Sequence, residues 1–368
     1  MSDVLLLGGY GVFGQRIARS LVKDGVSITL NGRHEWPAKQ LQAGLLLDFP
    51  LASIEVAVFD VEQNFQAALG KIKPVVVINT CGPFQLKGVE VAQACVQQRV
   101  HYIDLADGMQ FVNGISVLDE SAKAAGVTVI SGASTVPCLS SAVIEHVLPQ
   151  FSTIDSLTYG ITPGQKAPRG LATAESILTY LGRPLFQRDK NNKPRHGWQN
   201  LYRQRYPELG KRWMASCDIP DIQLFKEHYA IEHLHFSAGM ESTALHLGMW
   251  FFSWWVRMGL PLPLLRYSRV LLKMSHLFDR WGSDAGGMHM IFQGQDAAGT
   301  AKTVKWFLIA RQGDGPQIPS VPAALLAKRM VRGVFSQPGA MPCVGLITLQ
   351  EYLDALSDFD VSTVELTQ

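Results

Sequence analysis

The chain opens with an apolar run, Val4 to Leu7, that breaks into a glycine-rich turn, Gly8-Gly9-Tyr10-Gly11-Val12-Phe13-Gly14. It resumes as an amphipathic stretch from Gln15 to Val22. The order predicts strand, tight turn and helix. Dinucleotide binding gives each glycine a task. Gly9 permits the sharp turn, Gly11 lets backbone N–H groups approach a pyrophosphate, and Gly14 lets the helix lie close on the strand. The phosphates are expected at the helix N-terminus, where N–H groups lack partners and the dipole favours an anion. A lone G-x-G-x-x-G also occurs in ordinary βα turns. The strand before it and the helix after it favour the binding role, with Tyr10, Val12 and Phe13 in the same loop.

The next strand reads Ser27-Ile28-Thr29-Leu30-Asn31 and ends in Gly32-Arg33-His34. A carboxylate at this point would accept hydrogen bonds from ribose hydroxyls and would repel a 2′-phosphate. Arg33 would instead pair with that phosphate. NADP is therefore expected over NAD, with Asn31 bonding ribose or phosphate. Arg33 as a solvated turn residue is the plainer alternative, and Lys39 either assists it or is a surface charge.

Strand and helix patterns alternate as far as Val127-Thr128-Val129-Ile130. Ile54 to Phe59 forms a strand ending at Asp60, and Val75 to Asn79 reads as a central parallel strand covered on both faces. The expected fold is α/β, an N-terminal doubly wound parallel (Rossmann) sheet with a second α+β domain. The boundaries expected are 1–132, 133–345, and a C-terminal helix in 346–368 that returns to the first domain. In the second domain, residues 229–236 read as a strand and Met288 to Ile309 as a hairpin turning near Asp296. Helices are expected near 171–181, 242–256, 264–280 and 322–333, and 182–210 reads as a long loop.

Net charge is +2 in 368 residues, too mild to imply nucleic acid. The five cysteines are odd in number and contain no C-x-x-C, which fits reduced thiols and a cytoplasmic protein. The first strand begins at once, so no signal peptide is expected. Leu245 to Val256 is strongly apolar and holds Trp250, Trp254 and Trp255. Arg257, Pro261 and Pro263 end it before it could cross a bilayer. A buried helix, a subunit interface or lipid headgroups would each cover it. Protein cover, including a homodimer partner, is the expectation; membrane contact is possible but not favoured.

The first domain resembles the saccharopine dehydrogenase-like family of NAD(P)-dependent oxidoreductases. The resemblance rests on Gly8 to Gly14, Ile78-Asn79-Thr80-Cys81-Gly82-Pro83-Phe84, His101 to Gly108, and Ser131 to Pro137. It implies hydride transfer at a C–N bond, with substrate contacts and often a subunit interface in the second domain. Arg169 to Thr173 and Pro342 to Leu346 look like bacterial members of unassigned substrate. The Trp-rich helix departs from the amino-acid-processing members.

Ligands of open α/β sheets lie at the strands' carboxyl ends. Thr80, Cys81, Gly82, Pro83 and Phe84 follow the fourth strand. Gly82 and Pro83 would bend the chain beside the nicotinamide ribose, and Phe84 would pack on the nicotinamide or in the core. Asp104 and Asp107 follow the fifth strand, as acid, base or iminium partner, or as helix caps. Arg169 is the first choice for a substrate carboxylate. His233 and His235 share a strand face without a third ligand, so no metal is expected. His146 reads as a core histidine. Cys81 has no assignable base and is not taken as a nucleophile. Two functions remain: an NADP-dependent oxidoreductase acting on an imine or carbonyl, or a non-catalytic NADP-binding protein docking through the Trp-rich helix. A cleft lined by titratable groups marks the first, and exposed tryptophans mark the second.

Overall fold

The computed structural model describes residues 2–85, 87–189, 191–260 and 263–368; Pro261 lies outside them. Two compact units form, 1–140 with 317–347, and 141–316 with 348–368.

The first unit runs β1 (Val4–Leu7), α1 (Gly14–Lys23), β2 (Ile28–Gly32), α2 (Glu35–Asp48), β3 (Ile54–Val58) and α3 (Val61–Ile72). It continues with β4 (Val76–Asn79), α4 (Glu90–Gln97), β5 (His101–Asp104), α5 (Met109–Gly114), α6 (Asp119–Ala125) and β6 (Thr128–Ser131). The six strands are parallel in the order β6-β5-β4-β1-β2-β3. Val4 to Leu7 and Val76 to Ile78 are fully buried, as strands covered on both faces must be. The chain leaves β1 in one direction and restarts at β4 in the other. That switch point opens a crevice at the carboxyl ends of β1 and β4.

The first unit is completed from far along the chain. Strand Gly339–Pro342 pairs in parallel with β6, from Gly339↔Thr128 to Pro342↔Ser131. Helix Val321–Val331 precedes it, and Lys328 on that helix pairs with Asp24 at 2.7 Å and donates to Ser20 Oγ at 2.9 Å. Residues 317–347 therefore return, not 346–368. The final strand, Val361–Thr367, belongs to the second unit. Its Val364 packs against the cluster that holds Phe307 and Ile309.

The second unit contains α7 (Ser140–Val147), β7 (Thr153–Thr162), α8 (Leu171–Tyr180), β8 (Pro184–Arg188), β9 (Pro194–His196), β10 (Tyr202–Tyr206) and β11 (Gly210–Ser216). Then come α9 (Asp221–Tyr229), β12 (His233–Met240), α10 (Thr243–Arg257), α11 (Ser268–His276), β13 (Gly286–Gln295) and β14 (Ala301–Ala310). A mixed sheet runs β10-β11-β12-β7-β13-β14 and then the terminal strand. Only its β12–β7 pair is parallel. Asp296 closes the β13–β14 hairpin by accepting from Ala298 N and Thr300 N, each at 2.9 Å.

Three expectations fail here for local reasons. Residues 182–210 hold β8, β9 and β10 rather than a loop; their arginines hide the alternation, as where Arg203 lies 4.5 Å over the Trp213 ring. Tyr229 ends α9 rather than starting a strand, because Ala230 turns left-handed at φ +53°. His146 is exposed and pairs with Glu365 at 3.2 Å; it is not a core histidine.

Candidate cofactor site

At the carboxyl end of β1 the left-handed turn residue is Gly8, at φ +73°, rather than Gly9. A Cβ on Gly8 would meet Thr80 Oγ1 at 2.6 Å. Gly9 is glycine for closeness instead: its Cβ would lie 3.0 Å from a Leu30 methyl. Gly14 has the closest fit, since a Cβ there would sit 2.3 Å from the Gly8 carbonyl. The first turn of α1 therefore rests directly on the loop. Gly11 differs from all three. Its Cβ would meet only the Gly8 carbonyl, at 3.1 Å, so the outer side of the loop is open space. An open face beside a helix N-terminus suits a pyrophosphate.

Thr80 fastens this loop to β4. Its hydroxyl donates to the carbonyls of Leu7 at 2.8 Å and Gly8 at 3.2 Å. Tyr10 folds back over β2, where a Gly32 Cβ would overlap its ring at 1.9 Å, and its hydroxyl accepts from His34 N at 3.3 Å. Gly32 is thus a seat for Tyr10, a role invisible until the ring's direction is known. Asn31 is not available to a ligand. It is buried, and its amide donates to the carbonyls of Ala57 and Phe59 at 3.2 and 3.1 Å, tying β2 to β3. Arg33 is exposed and makes no ion pair among the described residues, whereas Lys39 is engaged by Glu35 at 2.7 Å.

Beyond Cys81, at the carboxyl end of β4, lies a cavity of about 470 Å³. Phe65, Phe84, Tyr102 and Phe111 form its apolar wall; Glu62, Lys87 and Glu90 add charge. Lys87 pairs with Glu62 at 3.5 Å and donates to the Cys81 carbonyl at 3.1 Å. Cys81 also lines the cavity. Burial pushes its thiol up to about 11 against the opposing charges of Lys87 and Arg33, so it stays protonated at neutral pH. Phe84 packs on Phe111 with ring centroids 5.1 Å apart and is nearly buried, the core role of its two alternatives. Asp60 caps α3 by accepting from Glu62 N at 3.0 Å. Gly82 and Pro83, joined by a cis peptide, complete the bend after β4.

The two aspartates separate. Asp104 is fully buried. Its Oδ1 accepts from Ala106 N, Ser131 Oγ and Gly132 N, each at 2.9 Å. Burial raises the carboxyl to about 6, partly offset by those donors. Asp104 has no accessible surface, and its Oδ1 ties the end of β5 to the end of β6. Asp107 is half-buried and accepts from Gln85 Nε2 at 2.9 Å, which places it against the loop after β4.

In the second unit, Arg169 is not a free anion receptor. It donates to Asp279 and, at 3.1 Å, meets His276 Nδ1. The same carboxylate accepts from Gln165 at 2.9 Å and lies 2.7 Å from His276. The sequence also concealed a polar chain across β10, β12 and β13. Tyr206 Oη meets His289 Nδ1 at 2.7 Å, and Tyr202 Oη meets Ser237 Oγ at 2.5 Å. No spacing rule links residues so far apart.

Residues 4–130 match the family model of the saccharopine dehydrogenase NADP binding domain. The first domain belongs to that family. NADP is its cofactor, and the open loop and unpaired Arg33 fit it. The chain is similar in fold to the apo saccharopine dehydrogenase (L-Glu forming) of Saccharomyces cerevisiae. That likeness covers 100% of both chains at 14% identity and TM-score 0.69. An amine dehydrogenase from Mycobacterium smegmatis aligns over 95% of each chain at 13% identity and TM-score 0.49. No functionally curated protein sequence matches the chain.

Arg33→Ala in the NADP-binding domain is expected to weaken NADPH binding about ten- to a hundredfold while NADH binding barely changes, because only NADPH carries the 2′-phosphate. Parallel calorimetric titrations check this. Equal losses for both cofactors would place Arg33 elsewhere.

Proposed function

We propose that the protein is an NADPH-dependent oxidoreductase that reduces a C=N or C=O group of a small molecule. The observation that supports this reading best is the cavity at the carboxyl end of β4, separated from the glycine loop by Cys81, with aromatic walls and titratable groups at its rim. A protein that only stored the nucleotide would not need such a space at the end of β4. When bound, NADPH supplies hydride: the carbon gains a C–H bond, the adjacent nitrogen or oxygen takes a proton, and NADP⁺ remains.

The chain's own residues do the rest. Gly8 to Gly14 and the α1 N-terminus hold the pyrophosphate, and Arg33 holds the 2′-phosphate. Thr80 keeps the loop in register with β4. Asp107 is our choice for the group that handles the proton, since it stands at the strand ends while Asp104 is sealed in the core. Gln85 fixes its orientation.

NADPH deuterated at C4, incubated with a panel of cyclic imines, aldehydes and ketones, tests the reading. Deuterium is expected on the reduced carbon of at least one product. Asp107→Asn is expected to lower kcat about a hundredfold with NADPH affinity unchanged. Tight NADPH binding without transfer to any member of the panel would favour the non-catalytic reading.

A further inference from the structure

The Trp-rich helix is not covered by its own unit. Its inner side packs near Leu181 and Trp198, with His246 and Ser253 buried. Its outer side carries Phe251, Phe252 and Trp255, which cluster with ring centroids 5.3 to 6.1 Å apart. Phe251 is 50% exposed and Trp255 37%. Helix α11 and the turn after it carry an apolar stripe of their own. Val270, Met274, Leu277 and Trp281 recur at helical spacing and are 54 to 68% exposed. Single exposed apolar side chains are ordinary, but two consecutive elements with apolar outer stripes are not.

Charge identifies what covers them. From residue 243 to 281 the sequence holds five basic residues, Arg257, Arg266, Arg269, Lys273 and Arg280, and one acid, Asp279. That acid is already engaged by Arg169, Gln165 and His276. Glu175 on α8 accepts from Ser268 Oγ at 2.9 Å. Arg269, Lys273 and Arg280 form an exposed stripe one residue out of phase with the apolar one. Two arginines lie on tryptophan faces, Arg257 5.0 Å from Trp254 and Arg280 3.8 Å from Trp281. A second copy of the chain would bring this basic surface against itself across a two-fold axis, like charge on like. No helix among the described residues is long and apolar enough to cross a membrane. We propose that α10 and α11 form a docking surface for an anionic lipid bilayer, entered to headgroup depth by Phe251, Trp255, Met274 and Trp281.

The test uses the full chain with vesicles of phosphatidylcholine alone and with added phosphatidylglycerol. Flotation should show binding to the anionic vesicles only, with a blue shift of tryptophan emission and weakening as salt rises. Arg269→Glu with Lys273→Glu should reduce partitioning about tenfold or more. Phe251→Ser with Trp255→Ser should reduce it likewise, and both variants should melt as the parent does. Met274→Ser with Leu277→Ser, changes at exposed positions, serves if either pair fails to fold. The proposal is overturned if the folded chain does not float with anionic vesicles. It is equally overturned if the chain forms a dimer that Phe251→Ser with Trp255→Ser dissociates, since a second copy would then be the cover.

Discussion

Gly11→Val is expected to lower NADPH affinity by about a hundredfold or more while leaving the fold intact. The reason is directional. The Cβ of residue 11 meets only the Gly8 carbonyl, at 3.1 Å, and Gly11 does not have a left-handed φ. The two valine methyls must then point into the space over the loop that the pyrophosphate would fill. Gly14→Ala makes the useful contrast. Its Cβ would sit 2.3 Å from the Gly8 carbonyl, so helix and loop must separate, and stability should fall together with binding. Calorimetry with thermal melting distinguishes the two variants. A folded Gly11→Val protein with an unchanged NADPH isotherm would refute the assignment of the loop.

Asp104→Ala is expected to destabilise the first unit by about 2–4 kcal/mol, because two buried N–H groups and the Ser131 hydroxyl lose their common acceptor. Asp104→Asn keeps that acceptor and mimics the protonated acid, so it should match the parent near pH 4 and exceed it in stability at neutral pH. The parent should also carry a pH signature. Burial raises Asp104 from 3.8 to about 6, so the folded state binds its proton more tightly than the unfolded state. The stabilisation from that proton is complete below about pH 4, declines as pH rises, and is gone above about pH 6. It amounts to roughly 3 kcal/mol. The difference between parent and Asp104→Asn in denaturant midpoints, measured from pH 4 to 7, isolates this contribution. A flat difference would mean that Asp104 ionises as it does in the unfolded chain.

Much of the first unit is legible in the sequence because parallel strands buried on both faces announce themselves as apolar runs. Val4 to Leu7 and Val76 to Asn79 are found within a residue of where the pattern puts them. What the pattern conceals is the partner of each polar group. Asn31 and Asp104 stand where a ligand-binding residue would stand, yet backbone groups on adjacent strands claim them. Arg169 sits in a glycine- and proline-flanked loop, and only the fold brings Asp279 to it from 110 positions away. The return of Gly339–Pro342 to β6 escapes for the same reason. Its four residues carry no periodicity that distinguishes one sheet from the other. In the second unit, β8 to β10 are rich in arginine and glutamine, so their alternation is of long side chains against long side chains.

The account rests on an NADP site whose specificity lies at the end of β2. Titration of the unmodified protein with NADPH and NADH under one salt condition tests it most directly. NADPH is predicted to bind at least about tenfold more tightly, with the gap narrowing as ionic strength rises and the 2′-phosphate is screened from Arg33. Equal affinities, or tighter binding of NADH, would contradict it.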